Sequence, residues 1–407
     1  MRDFRLLWLG QSTSRFGSAV TAIAMPLVAV GVLGASTFQV ALLPAAVWLP
    51  WLLVGLPAGV WVDRLPRRPV LIACDAVSLV LFVSVPIAAS LHALTMAHLL
   101  GVALLAGTAS VFAETASPVY LASLLSPDRL ADGNARLQGS EAAAQVAGPG
   151  VGGLVAQAFG AVTGLLVDAV SFLVSIACLL ALRHREPPRP AAPRRAVRSE
   201  AAEGLRFLAH DPYLRTMAAF GAAGNLALTG YQSILVVFLV REIGADPGTA
   251  GLVVAAMSCG GLLGALAAGA MARRFGTAYG MVACQAGAAP FALLIPLAGP
   301  GPRLAFAVVG GVVAGAGIVA GNIIKDSFRQ LYTPRPLLGR VITAMQLVNY
   351  GAIPLGALLG GSLGVTLGLR PTLWLMAASL VLATTILLTS PIRTHRDLPA
   401  AERRTSS

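Results

Sequence analysis

Three charged residues stand inside long apolar runs, where an unpaired charge is costly and is a functional hypothesis by default. Arg15 lies about ten residues into the first run, and Glu141 about as deep into the fifth. Glu114 lies in the fourth, about ten residues before its end. At roughly 1.5 Å per residue all three fall toward the middle of a bilayer. Two carboxylates and one guanidinium at similar depth can do one of two things. They can tie helices together as a static network, or they can hold a proton, because burial and a nearby cation act on a carboxylate in opposite senses. Both readings stand equally for Glu141, and the proton-carrying one is slightly favoured for Glu114.

Other polar residues in apolar runs are weaker candidates. Asp75 is placed to pair with Arg67 or Arg68, Asp168 to face the outer water, and Lys325 with Asp326 to form a gate pair near a mouth. Gln11, Asn225, Tyr231, Gln232, Asn322, Gln346, Asn349 and Tyr350 offer neutral hydrogen-bonding and aromatic groups. Such a lining suits an amphiphilic organic solute, although each residue alone also serves as glue between helices. The histidines (His92, His98, His184, His210, His395) fall near run ends or in loops, and the cysteines (Cys74, Cys178, Cys259, Cys284) at unrelated spacings. No metal site and no cofactor are expected. Lys325 is the sole lysine, and no phosphate-cradling Gly-x-x-x-x-Gly-Lys-Ser/Thr loop is present, so an ATP-driven pump is excluded, and the chain is expected to be no enzyme.

The elements that must carry these residues follow from hydropathy. The chain is 57% hydrophobic and 11% charged, with mean hydropathy +0.79, whereas soluble proteins carry about 25% charged residues. The pattern predicts an all-α membrane protein of twelve transmembrane helices, about 20 apolar residues each. The seventh run is Pro212–Val240 and the ninth Thr277–Ala298. A net charge of +12 would suit nucleic acid, but most arginines fall in alternate loops. That is the positive-inside pattern, with both termini cytoplasmic and no nucleic-acid partner.

A single long connection, 183–210, divides the chain into a bundle at 1–182 and another at 211–391, followed by a tail at 392–407. The linker begins proline-rich and basic and ends in Glu200–Leu208, expected as an amphipathic helix on the anionic inner leaflet.

Between the second and third runs stands Gly59-x-x-x-Asp63-Arg64-x-x-Arg67-Arg68. Gly59 is expected to let helix ends approach, and Asp63 to pair with an arginine or cap a helix. This stretch resembles the signature loop of the major facilitator superfamily, with Pro66 where that family usually has glycine. A degraded copy, Gly269 to Gly276 with Arg273 and Arg274, separates two runs of the second half, and Arg273 stands where Asp63 stood. Matching loops in two halves imply an internal duplication into two pseudo-symmetric six-helix bundles. Gly148-Pro149-x-x-Gly152-Gly153 resembles the superfamily's antiporter motif, in which small residues permit close packing and the proline bends the helix.

Phe4–Gln11, Glu114-Thr115-Ala116, Asn134–Gln138, Asp168–Phe172 and Glu203–Leu208 are similar to the branch of drug and siderophore exporters. Many members of that branch carry an acid after the first-span glycine. Here Ser18 follows Gly17, which moves attention to Glu114 and Glu141. The resemblance implies a monomeric secondary transporter of the inner (plasma) membrane. It would export a small amphiphilic molecule by proton antiport with alternating access, the signature loops acting as its conformational switch. A proton-coupled importer and a non-transporting membrane sensor or scaffold are the rivals.

Overall fold

The computed structural model describes residues 2–184 and 197–398. The described chain is 90% helical and has no strands. In chain order the helices are α1 (Arg2–Gly31), α2 (Thr37–Arg64), α3 (Arg67–Ser90), α4 (Met96–Leu124), α5 (Pro127–Phe159), α6 (Ala161–Leu180) and α7 (Val197–His210). They continue as α8 (Pro212–Val237), α9 (Pro247–Phe275), α10 (Thr277–Ala288), α11 (Leu304–Tyr332), α12 (Arg335–Thr366) and α13 (Leu369–Leu388).

Among the described residues eleven helices are long and apolar enough to cross a membrane. The remaining long one, α5, has 33 residues but is diluted by Gln138, Glu141 and Gln145. It is the helix that carries both a candidate acid and the Gly-Pro motif. Caps set several starts: Ser36 forms a capping box with Gln39 before α2, and Thr95 accepts from the His98 N–H before α4.

Two departures from regular α-helix stand out. The seventh span ends in a π-helical turn, Phe238–Glu242. The ninth is not one α-helix: after Ala288 the chain tightens into 3₁₀ geometry over Ala289–Leu297. Pro290 and Pro296 lack amide donors, which weakens the α ladder there.

The chain folds as two compact units. The first takes in residues 1–194 and 239–255, the second 195–238 and 256–407. In the first, α1 packs along α5 and α6, α2 on α4, and α3 on α4 and α6. In the second, α8 packs along α12 and α13, and α10 on α11. The neighbour pattern therefore repeats, first helix against fifth and sixth, and glycine makes the closest approach in both. A Cβ on Gly152 would lie 2.6 Å from Ile23 Cγ2 on α1, and one on Gly356 would lie 2.9 Å from Leu226 Cα on α8.

The helix α7 corrects one expectation. Its apolar face is turned to protein rather than laid on a leaflet: Leu208 is buried, and Leu205 and Phe207 pack against the same core cluster as Leu214 and Val341. Gly204 sits over the Arg340 carbonyl, and Arg340 Nη1 bonds Glu203 Oε2 at 2.5 Å. The proline-rich residues 185–196 and the tail residues 399–407 lie outside the described residues.

Candidate functional site

Within the first unit α1, α4 and α5 bring the three intramembrane charges together. Arg15 Nη1 lies 3.0 Å from Glu141 Oε1 and 4.0 Å from Glu114 Oε1. None is fully buried; the side-chain exposures are 41% for Arg15, 33% for Glu141 and 44% for Glu114. Among the described residues the cluster sets one cation against two carboxyl groups.

Its surroundings are polar in a way the sequence did not disclose. Gln11 Nε2 donates to Ser117 Oγ, one turn beyond Glu114. Trp8 Nε1 donates to Ser140 Oγ at 2.8 Å, next to Glu141. Only the shared helical faces, Gln11 with Arg15 and Glu114 with Ser117, could have signalled these partners.

Two acids sit differently from expectation. Asp168 does not face water: it is 1% exposed. Thr21 on α1 donates to its Oδ2 at 2.7 Å, and Ser171 to its Oδ1 at 3.1 Å. Gly17 makes the approach possible, since a Cβ there would lie 2.5 Å from Asp168 Oδ1. Asp75 is bound not by the loop arginines but by Ser175, whose Oγ donates at 2.6 Å. Arg68 instead turns to the end of α6, donating to the Leu179 and Leu180 carbonyls at 2.9 Å each. The Leu179 carbonyl also takes the Leu182 N–H at 3.3 Å, and the arginine adds a positive charge at the negative end of the helix dipole.

The signature stretch is mostly helix. α2 runs through Gly59 to Arg64, leaving only Leu65 and Pro66 between helices. Gly59 is not there for close packing, because a Cβ would meet nothing within 4 Å. Arg67 is buried and Arg64 exposed; the Asp63 side chain lies outside the described residues. In the second-half copy Arg273 and Arg274 are exposed, and Arg274 stacks 5.5 Å over the Phe275 ring.

The glycine motif is a packing element. Gly148 is closed against Ala19, and a Cβ there would lie 2.9 Å from the Ala19 carbonyl carbon. A Cβ on Gly153 would fall 2.5 Å from Pro247 O and 2.7 Å from Gly251 Cα at the start of α9. The helix continues unbroken through Pro149.

The cavity candidates of the second unit are mixed. Tyr231 is buried at 6% exposure while the adjacent Gln232 is exposed. Asn225 Nδ2 donates to the Asn349 carbonyl at 3.2 Å. Tyr350 is half-buried and Gln346 exposed. Asn322 accepts from Lys325 at 2.9 Å and from Gln285 at 3.5 Å. Lys325 and Asp326 are not an ion pair, since Asp326 is taken by Arg329 at 3.3 Å. Neighbours in sequence point about 100° apart on a helix, whereas residues three apart share a face. Among the described residues no group of three His, Cys, Asp or Glu side chains could hold a metal ion.

Known proteins of similar sequence and fold agree on the class. A family model described as "Transmembrane secretion effector" matches residues 1–405. The chain is 29% identical to "Multidrug efflux pump Tap" of Mycolicibacterium fortuitum, over 97% of each chain. It is 26% identical to "Enterobactin exporter EntS" of Escherichia coli, covering 89% of this chain and 85% of that one. Among solved structures, the nucleoside transporter NupG superposes with a TM-score of 0.74 at 12% identity, covering 97% of this chain and all of the other (100%). A bacterial homologue of the iron transporter ferroportin in its inward-facing state gives 0.76 at 17% identity, over 95% and 98%. These last two establish the fold alone. Eleven candidate membrane spans among the described residues, in two units with the same neighbour pattern and matched almost end to end by that family model, make this chain a member of the transmembrane secretion effector family of major facilitator transporters, a multi-pass membrane protein and not an enzyme.

Proposed function

We propose that the chain exports a small amphiphilic organic solute from the cytoplasm in exchange for protons, by alternating access and as a monomer. The observation that carries this reading is the Arg15 cluster: two carboxylates held by one guanidinium inside membrane-spanning helices. Its charge imbalance suits a group that gains and loses a proton, with Glu141 and Glu114 as the two candidates. The names of the relatives, a multidrug efflux pump and an enterobactin exporter, support the outward direction and the solute class. Gln11, Asn225, Tyr231, Gln232, Asn322, Gln346, Asn349 and Tyr350 are proposed to line the solute's path. In this reading the bundles at 1–182 and 211–391 rock against one another, both termini stay cytoplasmic, and Gly59, Asp63, Arg64, Arg67, Arg68, Arg273 and Arg274 govern the switch between states.

Proteoliposomes test the coupling. Glu141→Gln fixes the neutral form, so it abolishes solute accumulation driven by a proton gradient while still permitting exchange of solute down its own gradient. Proton-driven accumulation by the Gln variant at the wild-type rate per folded molecule would remove Glu141 from the mechanism. If Glu141 is only structural, the variant loses expression or melting temperature and keeps its coupling. Orientation has its own test: cysteines placed in the linker should react with an impermeant thiol reagent only after the inner face is opened.

A further inference from the structure

One face of α11 carries Asn322, Lys325, Asp326 and Arg329, spaced i, i+3, i+4 and i+7, so the four side chains line a single stripe. The stripe is electrostatically unbalanced. Lys325 and Arg329 are two cations separated by one helical turn, about 6 Å along the axis. Among the described residues one carboxylate, Asp326, meets them within ion-pair distance, and it goes to Arg329 Nη2 at 3.3 Å. The other acids described in the second unit are engaged elsewhere: Glu203 with Arg340, Asp211 with Tyr332 and the start of α8, and Asp397 with Thr277.

Lys325 Nζ therefore bonds only a neutral amide oxygen, that of Asn322. That oxygen also receives the Gln285 amide from α10. Arg329 is no better served. Its Nη1 reaches the Met345 sulfur at 3.6 Å, a weak acceptor, and its Nε is buried with no hydrogen-bond partner. A buried guanidinium donor left without an acceptor is costly, and an uncompensated cation within a membrane span costs further. Both deficits ask for the same thing, an acceptor oxygen bearing negative charge.

We propose that Lys325 and Arg329 are the acid-recognition site for the transported solute, binding a carboxylate or an acidic hydroxyl of an otherwise apolar molecule. The site rests on the export reading and sharpens it: the solute is an amphiphilic acid rather than a lipophilic cation. Lys325 has the flexible stem and three rotatable donors that accommodate acids of different shape, while Arg329 offers a fixed fork already steadied by Asp326. With the proposed orientation the pair stands toward the cytoplasmic end of α11, where an exported solute first meets the protein.

The experiment uses purified full-length protein and two fluorescence-competed probes: fusidate, an amphiphilic carboxylate, and ethidium, an amphiphilic cation. Wild type binds fusidate and transports it in proteoliposomes. Fusidate methyl ester, which keeps the shape and loses the charge, binds about tenfold more weakly or worse. Lys325→Gln lowers fusidate affinity by a similar factor and leaves ethidium affinity unchanged, and Lys325→Arg restores fusidate binding. Equal affinity for fusidate and its ester overturns the proposal without any variant having to fold. So does an equal loss of both probes in Lys325→Gln. Wild-type transport of ethidium without fusidate refutes the acid site and leaves export standing, whereas proteoliposomes that move neither probe count against both.

Discussion

Gly153→Ala isolates the α5–α9 contact from the rest of the glycine motif. A Cβ at this position would sit 2.5 Å from Pro247 O and 2.7 Å from Gly251 Cα. Both neighbours are backbone atoms, which cannot swing aside as a side chain would. Ordinary contact begins near 3.4 Å, so the two helices must part by most of an ångström. Overpacking of this kind costs about 1–3 kcal/mol, against a gain of about 0.8–1 kcal/mol from replacing a helical glycine by alanine. The expected net effect runs from near zero to about 2 kcal/mol of destabilisation.

Gly150→Ala is the control on the same helix. Its Cβ would meet the Ala255 Cβ at 3.3 Å and Leu252 Cδ2 at 3.7 Å, so the propensity gain dominates and the variant is neutral or stabilised. Thermal loss of monodisperse protein in detergent, followed by size-exclusion chromatography, should rank Gly150→Ala at or above wild type and Gly153→Ala below Gly150→Ala. The double variant Gly153→Ala/Gly251→Ala should be non-additive, because both methyl groups enter one contact. A Gly153→Ala protein as stable as Gly150→Ala would refute the close approach of α5 and α9.

Asp168→Ala leaves the Thr21 hydroxyl without its acceptor in a sealed interface and should cost about 1–3 kcal/mol; Asp168→Asn keeps an acceptor and should recover part of the melting temperature. Asp246 accepts the Thr249 N–H at 2.9 Å and its hydroxyl at 2.7 Å, and these bonds hold its carboxyl below its ordinary value of 3.8. A depressed folded pKa means stability that is present above 3.8 and fades as pH falls through the folded value. The stability gap between wild type and Asp246→Ala, about 1 kcal/mol as for a lost helix cap, should therefore persist at neutral pH and close only in strong acid. Leu208→Ser should release α7 from the second unit and expose it to limited proteolysis; unchanged protection would place the helix elsewhere. Asp63→Asn should slow transport and leave solute affinity nearly unaltered, and a large loss of affinity with normal cycling would put Asp63 in the solute site.

The sequence alone determined what a bilayer imposes on any chain that crosses it. A span needs about 20 apolar residues whatever it packs against, so helix count, approximate boundaries and loop arginines were readable from residues alone. Depth follows from rise per residue, which is why Arg15, Glu114 and Glu141 could be placed at one level before any helix was packed. Tertiary structure decided who meets whom, because partner choice depends on the rotation and neighbours of each helix. Asp75 and Asp168 look alike in sequence, each an acid in an apolar run. Gly17 lets α6 close on α1, and Asp168 is sealed by Thr21 and Ser171 while Asp75 takes Ser175. Lys325 and Asp326 invite pairing by adjacency, yet one residue turns a helix by about 100° and one turn of three residues hands Asp326 to Arg329. The amphipathic linker helix had two apolar surfaces open to it, lipid and protein. Only the packed bundle, with Arg340 waiting for Glu203 and the core around Val341 for Leu208, could settle which one it took.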